Sequence, residues 1–262
     1  MVGYSVKKST ILIPGGSGFL GLNIAEALSN IGLSTTIMDI RKPDKSPKKS
    51  NFVFCDLSNS NEIKEVFNQF SLNGTTISSI IYCAGVDPKV NDDTENVDNF
   101  LSSDFSSINF EFSVAISGAL NLVQSALPLM RIDKSNNAKS IVFIGSDLSI
   151  IAPDQRIYRD ELGKQKYYKP ISYSIIKHGV VGLMKYLSVE LAHYEITVNC
   201  VSPGPVLHRQ PNYLVENLIT KIPMGRLANP EDIIGQIIFL ISNQAKYLTG
   251  QNIVIDGGRS IW

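Results

Sequence analysis

Thr10-Ile11-Leu12-Ile13 is a short apolar, β-branched run that ends at Pro14-Gly15-Gly16-Ser17-Gly18-Phe19-Leu20-Gly21. From Phe19 onward Leu20, Ile24, Ala27, Leu28 and Ile31 follow a helical pattern, which stops at Gly32, a suitable C-cap. A strand, a glycine turn and a helix in that order form a phosphate-binding unit. The glycines let backbone approach a pyrophosphate, and the helix N-terminus offers N–H groups and a positive dipole end.

The same strand-then-helix order continues along the chain. Residues 34–39 read as a strand ending in Asp39, eighteen residues after Gly21. An acid there suits hydrogen bonding to a ribose 2′-hydroxyl, and a turn aspartate before Arg41-Lys42-Pro43 is the plainer alternative. Further strands are expected at 51–55, 79–83, 140–144, 196–201 and 251–255. Helices are expected at 58–70, 97–108, 109–130, 212–222 and 230–242, with a polar, acidic loop at 86–96. Seven strands alternating with helices of this length imply a parallel sheet covered on both faces.

Of the 262 residues 44% are hydrophobic and 18% charged, ample for one sizeable core, and no linker separates two domains. The formal net charge of zero removes any electrostatic argument for nucleic acid or an anionic membrane as partner. The N-terminal residues 1–8 lack an apolar signal core, and no apolar run approaches the ~20 residues that span a bilayer. A soluble, cytoplasmic protein is expected. Cys55, Cys83 and Cys200 sit far apart in apolar, strand-like stretches. They read as buried structural thiols, with neither disulfide nor metal-site spacing, and no metal is expected.

Ser172-Tyr173-Ser174-Ile175-Ile176-Lys177 carries the clearest chemistry. Tyr173 and Lys177 are about one helical turn apart and share a face. Pro170 can open the helix, and Ile176, Val180, Leu183, Leu187 and Leu191 give it one buried stripe. A phenol titrates near ~10, and a neighbouring ammonium favours its phenolate. The bland alternative is a surface helix bearing an unrelated Tyr and Lys. Gly179 and Gly182 lie within this helix at a cost of about 1 kcal/mol each relative to alanine, which points to close packing against a backbone or cofactor.

Taken together, the glycine turn, Asp56-Leu57, Ala84-Gly85, Asn109, Ser146, Tyr173/Lys177, Asn199, Pro203-Gly204 and Ile255-Asp256-Gly257-Gly258 resemble the short-chain dehydrogenase/reductase family over nearly the whole chain. That resemblance implies an α/β fold of Rossmann type: a single-domain, doubly wound, seven-stranded parallel sheet. It implies that Gly15, Gly18 and Gly21, with Ser17, Phe19 and Leu20, form the pyrophosphate turn of an NAD site. Asp39 would hold the adenosine ribose, Asp56 and Leu57 would flank the adenine, and Ala84-Gly85 would pass beneath the cofactor. Pro203, Gly204 and Val206 would add further cofactor contacts. Tyr173 would exchange a proton with the substrate oxygen, Ser146 would hydrogen-bond that oxygen, and Lys177 would bind the nicotinamide ribose and lower the tyrosine pKa. Asn109 would hold a water linking Lys177 to solvent. The bland alternatives are a turn serine at Ser146 and a helix N-cap at Asn109.

The sequence also departs from the family. The spacing Gly15-x-x-Gly18-x-x-Gly21 is that of the longer, epimerase-like branch, Pro14 replaces a threonine, and His208 stands where a threonine commonly contacts the carboxamide. The twenty-seven positions from Ser146 to Tyr173 exceed what the shorter branch commonly has, so 147–169 is an insertion. Its Arg156 and Arg159, with interleaved tyrosines, suit an anionic sugar derivative, whereas a solvated loop or a subunit contact is the structural alternative. Ala152-Pro153-Asp154-Gln155-Arg156-Ile157-Tyr158 and Lys169-Pro170 before Ser172-Tyr173-Ser174 resemble a subgroup associated with bacterial surface-sugar biosynthesis, such as nonulosonic acid decoration of flagellin.

The function expected is NAD(H)-dependent interconversion of a secondary alcohol and a ketone on a small molecule, with NADP disfavoured by Asp39. Two rivals stay open. One is a sugar-nucleotide epimerase or dehydratase with tightly held NAD; the other is a dinucleotide-sensing protein without turnover. The resemblance further implies a homodimer or homotetramer.

Overall fold

The computed structural model describes residues 8–86, 101, 103–135 and 138–262. Its centre is a seven-stranded sheet: β1 Lys8–Pro14, β2 Thr35–Asp39, β3 Ser50–Phe54, β4 Thr75–Tyr82, β5 Lys139–Ile144, β6 Ile196–Pro203 and β7 Asn252–Ile255. The spatial order is β3-β2-β1-β4-β5-β6-β7, and every pairing is parallel. The expected doubly wound fold is the one observed. The chain builds outward from β1 to β3 and then returns to place β4 on the other side of β1. The crevice outside the carboxyl ends of β1 and β4 is therefore the switch point where such sheets bind ligands.

Alternation along the strands sends side chains to two cores. Leu12, Met38, Ile80, Phe143 and Val198 meet α2 (Ser60–Leu72), α4 (Gly118–Arg131) and α5 (Ile171–Glu190) on one face. Ile11, Ile13, Ile37, Ile81, Val142 and Val201 meet α1 (Phe19–Asn30) and α7 (Pro230–Leu240) on the other. Each fully buried aliphatic side chain contributes roughly 1.5–3 kcal/mol.

The helices expected at 97–108 and 109–130 are arranged differently. Among the described residues, α3 spans Phe105–Phe112 and is capped by Asp104, whose carboxylate accepts the Ser106 and Ser107 N–H groups. It runs through a π turn, Ser113–Ser117, into α4 without a break at Asn109. The expected loop beyond Val86 and the expected helix start at 97 lie outside the described residues. The joined helix, Phe105–Arg131, is long and apolar enough to cross a bilayer by length and composition. Here Gly118, Leu122, Ala126 and Met130 instead bury its inner stripe against the sheet.

The insertion is not a solvated loop. Ile157, Tyr158 and the fully buried Tyr167 form a third, small core with Leu214 and Leu218 of α6 (Asn212–Ile219). Asn217 of α6 donates from Nδ2 to the carbonyls of Ile157 and Arg159, both at 2.9 Å.

Candidate active site

A cleft of about 730 Å³ runs along the carboxyl edge of the sheet, from Asp39 past the glycine turn to Tyr173. Its phosphate end follows from backbone geometry. Gly15 adopts φ +75°, and a Cβ there would come within 2.5 Å of the Ala84 backbone, so only glycine fits. The turn thereby lies flat against Ala84-Gly85 beyond β4. α1 starts at Gly18 with no side-chain cap and no acid in its first turn, so its positive end is left for an external anion. Asp39 fastens the turn to β2: its Oδ2 accepts the Ser17 N–H at 3.0 Å and its Oδ1 the Arg41 N–H at 3.2 Å. These features fit a dinucleotide, with the Asp39 carboxylate retaining lone pairs for a ribose hydroxyl.

At the opposite end α5 begins at Pro170 and carries Tyr173 and Lys177 into the cleft. Lys177 Nζ donates to the Ile144 carbonyl at the end of β5, at 3.0 Å. Ser146 follows two residues later. Its Oγ accepts the Leu148 N–H at 3.1 Å and donates to Asp147 Oδ1 at 3.0 Å. Asp147 is in turn paired with Arg259, and both are buried. The left-handed Gly257 and Gly258 (φ 65° and 91°) turn the chain so that Arg259 reaches back beneath Ser146. Cys83 sits half-buried on the cleft wall, where desolvation pushes its thiol up to about 12 against the pull of Lys177. It is inert at neutral pH, but it is not the core thiol that its strand-like context suggested; Cys55 and Cys200 are buried.

A phenol and an ammonium one turn apart, a serine across from them and an uncapped helix end in one cleft are a dehydrogenase's parts. A family model described as "Enoyl-(Acyl carrier protein) reductase" matches residues 18–260. The 3-oxoacyl-[acyl-carrier-protein] reductase FabG of Buchnera aphidicola subsp. Schizaphis graminum is 31% identical, over 97% of this chain and 98% of its own. The chain belongs to the short-chain dehydrogenase/reductase family. D-arabinitol 2-dehydrogenase of Candida tropicalis is 25% identical, over 96% of this chain and 92% of that protein. The structure of a short-chain dehydrogenase from Leptospira borgpetersenii with bound NAD+ superposes with a TM-score of 0.83 at 29% identity, covering 97% of this chain and 94% of that one. As a member of this family the protein is an NAD(P)-dependent oxidoreductase.

In this short-chain dehydrogenase/reductase the cleft gathers Gly15, Gly18, Phe19, Leu20, Gly21, Asp39, Asp56, Leu57, Ala84 and Gly85 with Ser146, Tyr173, Lys177, Pro203, Gly204 and Val206. Four expected residues lie off it. Ser17 spends its N–H on Asp39 and its hydroxyl on the Arg41 carbonyl, at 2.6 Å, so it braces the turn. Asn109 is exposed, and the cleft-lining residues of its helix are Phe110, Val114 and Ala115. It therefore lies off the cleft, and among the described residues no Asn or Gln of this helix lines it. Tyr82, at the end of β4, instead donates its hydroxyl to the Val114 carbonyl of the π turn at 2.6 Å. Arg156 is exposed and forms a bidentate pair with Asp154, at 2.8 and 2.9 Å. That pairing, with Lys221 nearby, holds the Asp154 carboxyl well below the usual range. Arg159 is also exposed and donates to Gln165.

The insertion does wall the cleft, through Pro153, Ile157, Tyr158 and Lys169. The sequence reading also missed Asp147 and Arg259, and it did not foresee that His208 stacks on Phe19. Their ring centres lie 3.8 Å apart across the glycine-turn side of the cleft. The signals available were slight: an acid next to Ser146, an arginine after the closing glycines and two isolated aromatic rings.

Proposed function

We propose that the protein oxidises a secondary alcohol to a ketone, or runs the reverse reaction, on a polar, sugar-derived small molecule with NAD(H). The observation that carries this reading is the convergence of Ser146, Tyr173 and Lys177 in the same cleft as Asp39 and the uncapped end of α1. The bound nicotinamide supplies the hydride-transfer chemistry. Tyr173 takes the carbinol proton at its phenol oxygen, or returns it to the ketone oxygen in reduction. Ser146 hydrogen-bonds the same oxygen when its single O–H proton turns from Asp147 to the substrate, the Leu148 N–H holding its Oγ in place. Lys177 favours the phenolate by its charge.

Asp39 supports NAD over NADP, because a 2′-phosphate beside its carboxylate is repelled. Arg41, on the same cleft wall, is the opposing charge. A polyol-like substrate is consistent with the arabinitol dehydrogenase relative and with the polar groups around Tyr173. A cytoplasmic homodimer or homotetramer, joined through α4 and α5, completes the reading. The test is a panel of polyols and sugar derivatives, D-arabinitol first, with NAD+ or NADP+ and absorbance of the reduced cofactor as readout. Turnover with NAD+ supports the assignment; no turnover across the panel, with no binding of either dinucleotide, overturns it. The epimerase rival, favoured by the Gly15-x-x-Gly18-x-x-Gly21 spacing, would show as NAD retained through purification and turnover.

A further inference from the structure

Two ammonium groups stand against Tyr173, and the mechanism above uses one. Lys177 Nζ is 5.5 Å from the ring centre, whereas Lys169 Nζ lies over the ring face at 3.7 Å. Lys169 is held there by its main chain. Its N–H donates to Gln155 Oε1 at 2.9 Å, and its carbonyl accepts from Gln155 Nε2 at 3.0 Å. One glutamine amide thus grips both sides of Lys169. Gln155 is itself fixed, since Gln165 Nε2 donates to its carbonyl at 2.7 Å and to that of Tyr167 at 2.7 Å. Tyr167 anchors this knot in the small core over α6, and Pro170 then starts α5 immediately before Tyr173.

We propose that the insertion exists to hold Lys169 over Tyr173 as a second cation, making Lys169 a positioning residue that favours the phenolate form of the catalytic base. The proposal rests on the reading of Tyr173 as that base. A positive charge within roughly 4–6 Å favours an anion, and an ammonium over the ring face is within that reach of the phenol oxygen. The other charged or titratable groups on this end of the cleft do not offset it. Asp147 is matched by Arg259, and burial keeps Cys83 an un-ionised thiol. His208 lies toward the glycine turn, against Phe19.

The measurement needs no substrate. The full-length protein with NAD+ bound, labelled with 13C at tyrosine Cζ, is titrated by NMR, and Tyr173→Phe identifies the resonance. Wild-type Tyr173 should titrate well below the ordinary ~10. Lys169→Met should raise it by about one unit or more, a tenfold loss of phenolate at neutral pH, and Lys169→Arg should restore most of it. Gln155→Ala should move it in the same direction by less, because the lysine is kept and only its hold is loosened. If Lys169→Met does not fold by circular dichroism, Lys169→Gln takes its place. A Lys169 variant that binds NAD+ and leaves the Tyr173 titration at its wild-type position overturns the proposal while leaving Tyr173 as the base. A wild-type Tyr173 titrating near ~10 overturns both.

Discussion

Arg259 and Asp147 lie 112 residues apart in sequence and meet, buried, beneath the hydroxyl of Ser146. Removing the arginine alone leaves a carboxylate in a site that water barely reaches, a change that typically costs about 3–5 kcal/mol. Arg259→Met should therefore lower the unfolding free energy measured in urea by that order, and Arg259→Met with Asp147→Leu should regain much of the loss. A single-variant loss below about 1 kcal/mol would place the pair among weak surface contacts. Tyr173→Phe makes the opposite kind of change. It keeps the ring and removes only the ionisable hydroxyl, so kcat should fall by more than tenfold while NAD+ affinity stays within a few-fold. A variant with near wild-type kcat would remove Tyr173 from proton transfer.

The glycine turn shows how far local sequence reaches. Gly15 must be left-handed and must lie on the Ala84 backbone, so Gly15→Ala should weaken NAD+ binding at least tenfold by calorimetry and lower the melting temperature. This turn, Asp39 and the Tyr173–Lys177 pair were legible because each depends on a spacing inside one element or one turn. Asn109 falls on the exposed side of α3, ahead of a π turn that periodicity does not reveal, and so lies off the cleft. Arg156 and Arg159 were misplaced for another reason. Asp154 captures Arg156 two residues away and Gln165 takes Arg159, so the loop's cations turn outward while Lys169 turns in. The Asp147–Arg259 pair and the Phe19–His208 stack join segments far apart in the chain, and only the assembled sheet shows them. The seven strands were legible because each is an apolar run of the length a covered parallel sheet requires.

At the scale of the whole molecule, the outer stripe of α5 bears on assembly. On α5, Ile175, Gly182, Tyr186 and Val189 are exposed and fall at spacings that share one face, opposite the buried Ile176, Val180, Met184 and Leu187. Gly179 faces Ile116 of the π turn, but a Cβ on Gly182 would meet nothing within 4 Å among the described residues. The close packing against a backbone expected of both glycines is thus found at neither among the described residues, since Gly179 meets only a side chain. If α5 packs on a second copy through a two-fold axis, as the proposed homo-oligomer requires, Gly182 lets the two backbones approach. The sign of one substitution separates the cases. In a monomer, Gly182→Ala relieves a helix-interior glycine and should stabilise by up to about 1 kcal/mol. In the proposed assembly the added methyl meets the partner helix, and the substitution should weaken association and lower the melting temperature. Tyr186→Glu, which places a charge on the same stripe, should dissociate the assembly outright. Sedimentation equilibrium at micromolar concentration reads both variants. A wild-type chain at the monomer mass, with Gly182→Ala more stable than wild type, would show that this face of α5 is turned to solvent.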